Sequence, residues 1–427
     1  MSTRRRALFA FVLALGLALF GLLARERDVL GLALPLALFA AVLVTSDALY
    51  RPSTLRVARE LSASQVYEDE HVDVTLSATN EGEHDVWVSL CDTVPHGITV
   101  VLGDPALAGR LREGETVTRT YRVNASRGGH DQRQLLGTTW APWGLAARDV
   151  TFSLQSTLTA LPVFESLRGI EIRPRHVHAY AGSIRTGRAG SGLATLGCRE
   201  YTPGDDIRRI NWRASARRDD LIVNLYEQER MTDVNIIVDA RAHMHLQIGE
   251  VKTFDLVVRG AAAIASHFLR QSNRVGLLVY GDTINWTFPG SGRLQMERLL
   301  HALALARPSN RLAFGKLRQI PTRLFAAGSQ LVIFSTLGSR EDADIPVQLA
   351  ARGYSVLLIY PNGLGLERAA LRPGPHDDLA ERVMRLGQQA TLSRLARAGA
   401  TVVDWDLAEP LGVALHHVDR AVRGLRR

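Results

Sequence analysis

The chain opens with two apolar runs that carry no charge. Residues 7–24, ALFAFVLALGLALFGLLA, follow Arg4, Arg5 and Arg6. Residues 29–46, VLGLALPLALFAAVLVTS, follow the polar link Arg25-Glu26-Arg27-Asp28. A helix needs roughly 20 apolar residues to cross the hydrocarbon core of a bilayer, and each run is about that long. The pattern predicts a transmembrane helical hairpin over residues 1–50. A cleaved signal peptide is the competing reading of the first run, but a second apolar run follows almost at once and no small-x-small site separates them. Pro35 is tolerated inside such a helix. Arginines flank both ends of the pair: Arg4 to Arg6 before it, and Arg51, Arg56 and Arg59 after it. Positive flanks stay on the cytoplasmic side. The expectation is a two-pass cell-membrane protein with both termini cytoplasmic.

From Leu55 to about Pro162 the apolar period drops to two. VDVTLSATNEG (72–82), DVWVSLCD (85–92), ITVVLG (98–103), ETVTRTYRVNA (115–125) and DVTFSLQSTLTAL (149–161) alternate apolar and polar positions between Gly, Pro, Asn and Asp. Short alternating strands at even spacing predict an antiparallel, immunoglobulin-like β-sandwich over 51–165. His71, His84, His96 and His130 are scattered through it without the spacing of a metal site.

From Asp233 onward the pattern alternates continuous apolar runs with helical periodicity. DVNIIVDA (233–240), RVGLLVYGD (274–282), QLVIFSTL (330–337), YSVLLIYP (354–361) and ATVVDWD (400–406) read as buried strands. INWTFPG (284–290) reads as an antiparallel partner. Helices are predicted over 251–272, 292–306, 344–353 and about 377–398, with a last one running to Arg427 and Ser291 as the cap of the second. Buried strands separated by helices predict a mainly parallel sheet covered on both faces, over 233–427. Ligands of such sheets bind at the carboxyl ends of the strands. No G-x-G-x-x-G follows the first strand and no G-x-x-x-x-G-K-[ST] occurs, so no phosphate loop is indicated.

Composition changes this picture little. The formal net charge of +8 raises nucleic acid as a partner, but only Lys252 and Lys316 among the 51 basic residues are lysines. The arginines are spread along the whole chain, and no basic block interleaved with aromatics appears, so nucleic-acid binding is not expected. Cys91 and Cys198 are the only cysteines and lie far apart, which excludes a disulfide framework and a CxxC metal site.

The densest polar stretch, GCREYTPGDDIRRINWRASARR (197–218), lies in the segment 166–232 that joins the two domains. As chemistry, Asp205 or Asp206 could act as a base with Arg199 and Arg208 holding an anion. Ser215 or Cys198 would need a partner base, and the nearest histidines, His176 and His178, are some 20 residues upstream. As structure, Pro203-Gly204 turns, Asp205 or Asp206 caps a helix running from Asp206 to Arg218, Ile210 faces inward, Arg208 pairs near Glu200, and Trp212 packs with its N–H bonded. As a surface, Arg and Trp are residues that commonly supply binding energy. Structural clamp, partner docking and catalysis stay open.

Arg199, Glu200, Tyr201, Pro203, Gly204, Asp205, Arg208, Asn211, Trp212, Ser215 and Arg217 together resemble the signature R-x-Y-x-x-G-D-x-x-R-x-I-N-W-x-x-[ST]-A-[RK] of the bacterial and archaeal "domain of unknown function 58" proteins. RGGH (127–130), APWGL (141–145) and LPVF (161–164) resemble further segments of that family, as do the paired N-terminal helices. The resemblance implies a Rossmann-like α/β domain of the von Willebrand factor A type. It also implies a partner, a MoxR-type AAA+ ATPase, with the protein acting as a membrane-bound adaptor in a chaperone-like system.

Von Willebrand A domains carry a D-x-S-x-S metal motif after the first strand. Here Asp239 is kept, while Arg241 and His243 stand where the serines belong. A guanidinium offers no lone pair and opposes a divalent cation by charge. After QLVIF comes Ser335-Thr336, with no aspartate until Asp342. No cofactor is expected; Mg²⁺ at Asp239, beside His243 or His245, is the one candidate ion, and Asp239 reads first as a loop or helix-start residue. The function expected is a non-enzymatic, membrane-anchored protein-interaction adaptor in the assembly or maturation of other proteins. The alternative is a metal- or ligand-dependent enzyme using Asp239 and the 199–217 signature.

Overall fold

The computed structural model describes residues 3–25, 27–50, 54–141, 146–168, 184–217, 220–230, 232–281, 284–309, 324–370 and 377–416. Most of APWGL, both His176 and His178, and most of the final helix read from the sequence lie outside them. The chain divides into two compact units, Met1–Ala160 and Leu161–Arg427.

The first unit begins with two helices, α1 (Thr3–Ala24) and α2 (Arg27–Leu49), which contact each other. Small residues lie between them, with Ala10, Ala14, Ala33 and Ala40 buried. Large ones point outward: Phe9, Leu23 and Leu34 are exposed. Small side chains let helix backbones approach closely, which is how helices associate where the surroundings are themselves apolar. Among the described residues, α2 is long and apolar enough to cross a bilayer, with Pro35 inside it. At its end, Arg148 donates to the carboxylate of Asp47 and, at 3.0 Å, to the Asp47 carbonyl.

Nine strands follow: β1 (Leu55–Leu61), β2 (Gln65–Tyr67), β3 (His71–Asn80), β4 (Val86–Asp92), β5 (Ile98–Leu102), β6 (Ala106–Leu111), β7 (Thr116–Ala125), β8 (Gly128–Trp140) and β9 (Ala147–Leu161). They form two antiparallel sheets, ordered β1-β3-β7-β5 and β2-β9-β8-β4-β6. Alternation places Val72, Val74, Leu76 and Ala78 of one sheet and Val86, Val88 and Leu90 of the other in a single core. Arg59 does not act as a membrane flank here. Its side chain is 1% exposed and lies inside this core, bonded through Nε to Asp92 at 2.9 Å and through Nη1 to the carbonyls of Gln132 and Leu154 at 3.2 Å. Tyr121 donates its hydroxyl to the same carboxylate at 2.6 Å, and burial together with that contact pushes its pKa far up. A buried arginine tied to one carboxylate, a hydroxyl and several carbonyls thus bridges the two sheets.

The second unit holds β10 (Ile184–Glu200), the one-turn helix α3 (Trp212–Ser215) and β11 (Ile222–Arg230), with β10 and β11 paired antiparallel. After them come β12 (Asp233–Asp239), the short pair β13 (Gln247–Ile248) and β14 (Val251–Lys252), α4 (Thr253–Arg270), β15 (Arg274–Tyr280), β16 (Ile284–Gly290) and α5 (Gly292–Leu305). The last elements are β17 (Gln330–Phe334), α6 (Arg340–Ala351), β18 (Ser355–Asn362), α7 (Leu364–Ala370), α8 (Asp377–Arg397) and β19 (Thr401–Asp406). The six-stranded sheet runs β16-β15-β12-β17-β18-β19, parallel except for edge strand β16. One core joins α4 and α5 to the sheet, and a second contains α6 and the buried end of α8, so both faces are covered. Ser291 stands at the start of α5, but its hydroxyl makes no capping bond.

Candidate functional site

Strand β12 has β15 on one side and β17 on the other, so the chain leaves it first one way and then the other. The crevice at the carboxyl ends of β12 and β17 is where parallel sheets open to a ligand. Asp239 ends β12 and is fully buried. It is not a loop or helix-start residue with a spare carboxylate. Its Oδ1 accepts from Arg241 N at 3.2 Å and Arg241 Nε at 2.9 Å. Its Oδ2 accepts from Arg241 Nη2 at 2.7 Å and from Ser335 Oγ at 2.8 Å. A carboxylate has about four lone-pair positions, and all four are used.

The same guanidinium reaches Asp342, through Nη1 at 3.3 Å and Nη2 at 3.1 Å. Asp342 is held near the start of α6, where its backbone N–H donates to Ser339 Oγ at 3.1 Å. Arg241 is only 2% exposed, and its guanidinium carbon lies 5.9 Å from the Tyr280 ring centroid. Burial pulls its pKa down, but the bonds and charges of Asp239 and Asp342 outweigh that and hold it above the ordinary arginine value. Where a metal centre would place a divalent cation between two carboxylates, this chain places its own guanidinium. Among the described residues no group of three or more His, Cys, Asp and Glu side chains is disposed to hold a metal. His243 is exposed and does not join Asp239, while His245 Nε2 donates to the Asp239 carbonyl at 2.5 Å, against the edge of Phe254. Burial holds the His245 pKa below the ordinary value.

Beside this knot lies a cleft of about 200 Å³, lined by His243, Met244, Thr336, Tyr360, Asn362 and Glu367 among others. It offers hydroxyl, amide, imidazole and carboxylate groups on a partly apolar floor.

The signature stretch forms a separate loop frame between β10 and β11. Arg199 Nη2 donates to Asp205 Oδ1 at 2.6 Å, and Asp205 Oδ2 accepts from Thr202 N at 2.9 Å. The Arg199 bond, then that backbone N–H, hold the Asp205 carboxyl below the usual range. The ion pair is Arg199–Asp205, in place of the Arg208–Glu200 pair expected. Gly204, between Pro203 and Asp205, has φ +109°, a conformation that side chains disfavour. The backbone N–H of Tyr201 donates to the Leu221 carbonyl at 2.8 Å, closing the base of the loop.

The expected single helix is two separate turns. Asp206 caps a 3₁₀ turn at Ile207–Arg209 by accepting from Arg208 N, and Asn211 caps α3 by accepting from Ala214 N at 3.0 Å. Between them the chain is extended, because Ile210 bridges Val223 and Asn211 N donates to the Ile222 carbonyl at 2.7 Å. Two good caps five residues apart start two short turns more readily than one continuous helix. Asn211 Nδ2 also donates to Asn224 Oδ1 at 2.9 Å, and Ser215 Oγ joins the Asn211 carbonyl to Ile222 N. Ile210 is buried, as expected. Trp212 is not packed inward: it is 64% exposed, as is Ile207, and Arg208, Arg213 and Arg217 are exposed around them.

Residues 197–359 match the family model described as protein of unknown function DUF58. The chain carries a DUF58 region over those residues. The matched DUF58 region starts at the signature and ends in β18, so it contains both the loop frame and the Arg241 knot. The chain is similar to the uncharacterized protein YeaD of Bacillus subtilis, with 25% identity over 280 residues, 64% of this chain and 67% of that one. It is also similar to the uncharacterized protein Rv1480 of Mycobacterium tuberculosis, with 30% identity over 107 residues, but the match spans only 34% of that protein and 25% of this chain. Among solved structures, a fragment of Escherichia coli alpha-2-macroglobulin matches 26% of this chain and 17% of its own at 20% identity, with a TM-score of 0.23. That likeness is too slight to bear on the fold.

Proposed function

We propose that this protein is a membrane-anchored protein-interaction adaptor that works with a MoxR-type AAA+ ATPase in the assembly or maturation of other proteins. In this reading α1 and α2 form a transmembrane hairpin with both termini in the cytoplasm. Residues 51–165 are a β-sandwich module, 166–232 the signature segment, and 233–427 a von Willebrand A-like domain. The small-residue contact between the helices and their apolar outer faces support the hairpin. The strand order, with a switch point beside β12, supports the A-like assignment.

The observation that carries the reading is the Arg241 knot. A metal-dependent enzyme needs carboxylate lone pairs at its strand ends, and here every one on Asp239 is taken by Arg241 and Ser335. That favours binding over catalysis at the crevice, and leaves the signature surface as the functional face. The test is affinity purification of the full chain from detergent-solubilised membranes of its own host. A MoxR-type ATPase is expected among the proteins retained, and its absence under conditions that keep the chain folded overturns the assignment.

A further inference from the structure

We infer that the signature loop is a preformed docking face for an acidic surface on a protein partner. This rests on the interaction reading above and names the chemistry of the partner. The loop has two sides. Arg199, Asp205, Asn211 and Ser215 are spent on bonds within the loop and lock the frame, although Arg199 itself stays exposed. The other side leaves apolar groups in solvent, with Ile207 and Trp212 each 64% exposed and Leu221 45% exposed. If the loop served only to hold the fold together, its tryptophan would be buried and its indole bonded.

The hydrogen bonds from Tyr201 to Leu221 and from Asn211 to Ile222 bring these residues into one small loop cluster. The frame fixes them before any partner arrives, which lowers the entropy cost of binding. Tryptophan and arginine are among the residue types most enriched where a few side chains dominate a protein interface.

Charge decides what the face takes. From Ile207 to Arg217 the chain carries Arg208, Arg209, Arg213 and Arg217 and no carboxylate. Asp205 is turned to Arg199, and Asp206 accepts from the backbone of its own turn. Guanidinium groups around an apolar centre match a surface that offers Asp or Glu around an apolar pocket. An anionic lipid surface matches less well. Surface-binding segments use a long amphipathic helix, whereas the apolar groups here sit on single turns.

The test is site-specific photo-crosslinking of the full chain in its native membrane. Trp212→p-benzoylphenylalanine is the probe, Ile207→p-benzoylphenylalanine the second, and exposed Leu294 on α5 the control position. Crosslinked peptides are identified by mass spectrometry. The expected result is adducts to one protein at peptides rich in Asp or Glu, at least tenfold more than from position 294. Adding Arg213→Glu and Arg217→Glu should reduce the yield about tenfold or more while thermal unfolding is unchanged. Adducts to lipid, to the chain itself, to a second copy or to basic peptides overturn the inference, as does a yield no greater than at position 294. An acidic peptide from a protein other than an ATPase sustains this inference and removes the ATPase assignment. A basic surface on an ATPase does the reverse.

Discussion

Arg241 sits between two carboxylates, Asp239 and Asp342, and is the one cation paired with either among the described residues; all three are at most 3% exposed. Removing one partner of a buried ion pair leaves an uncompensated charge and costs about 3–5 kcal/mol. Arg241→Ser should therefore destabilise the second unit by about that much, seen in chemical unfolding of the full chain. The variant also frees carboxylate and hydroxyl oxygens of the kind hard divalent cations prefer. Millimolar Mg²⁺ or Ca²⁺ should raise the melting temperature of Arg241→Ser and leave the wild type unmoved. A cation-dependent shift in the wild type would contradict the geometry. The sequence shows that Arg241 is unfit as a metal ligand. It does not show what Arg241 does, because its second partner is 101 residues away and only the sheet brings them together. Arg59 was hidden for the same reason: near a membrane segment an arginine reads as a flank, and its burial depends on strands far along the chain.

Two histidines add a pH dependence at the same scale. Burial holds both His245 and His267 below the ordinary value of about 6.5. His267 Nδ1 donates to the Leu167 carbonyl at 3.3 Å, and Nε2 accepts from Gln271 at 3.0 Å, an arrangement only the neutral ring can make. The folded pKa is the lower one, so between the two values the unfolded chain binds more protons. Stability contributed by these groups is present above about pH 6.5 and falls as pH drops below it. Equilibrium unfolding of the second unit at pH 7.5 and 5.5 should show the loss, and His267→Gln should make it smaller.

At the scale of elements, the signature is a frame with an outward face, and its residues divide between the two. Asn211→Ala removes a cap and the bond to Asn224, a loss of about 1–2 kcal/mol. Trp212→Ala removes an exposed side chain and should change stability by about 0.5 kcal/mol or less. Thermal unfolding of the two variants side by side checks the division; a large loss from Trp212→Ala would mean the tryptophan packs inward after all.

The elements of the second unit were readable because buried parallel strands are continuous apolar runs with helices between them. Those of the β-unit were readable only in part. β8, GGHDQRQLLGTTW, pairs along its length with β9 yet lacks clean alternation, because its polar positions are met by neighbours. β1 is similarly broken by Arg59, an arginine at an inward position. The signature itself misled by composition. Helix formers and a capping aspartate suggested one helix, while the bonds from Ile210 and Asn211 to β11, which divide it, are tertiary.

At the scale of the whole molecule, the proposal places the signature face on a chain held at the membrane. If α1 and α2 both span the bilayer, the chain should stay with membranes through alkaline carbonate extraction. A protease added to intact cells should then leave it uncut, since only the link Arg25–Asp28 lies outside. Cleavage within the β-unit would reverse the orientation. The DUF58 region was legible from the signature, and the mixed α/β class from periodicity. What the signature does was not, because exposure of Trp212 is a property of the folded loop.

The central claim is that this exposed signature face binds a partner. Its most direct test is equilibrium binding of the full chain, held in lipid nanodiscs, to the purified MoxR-type ATPase from the same host. Wild type is compared with Trp212→Ala at two salt concentrations. The expected result is saturable binding that weakens with salt and falls at least tenfold in Trp212→Ala, with melting unchanged. No saturable binding removes the ATPase assignment, and saturable binding indifferent to both Trp212 and salt contradicts a role for the signature face.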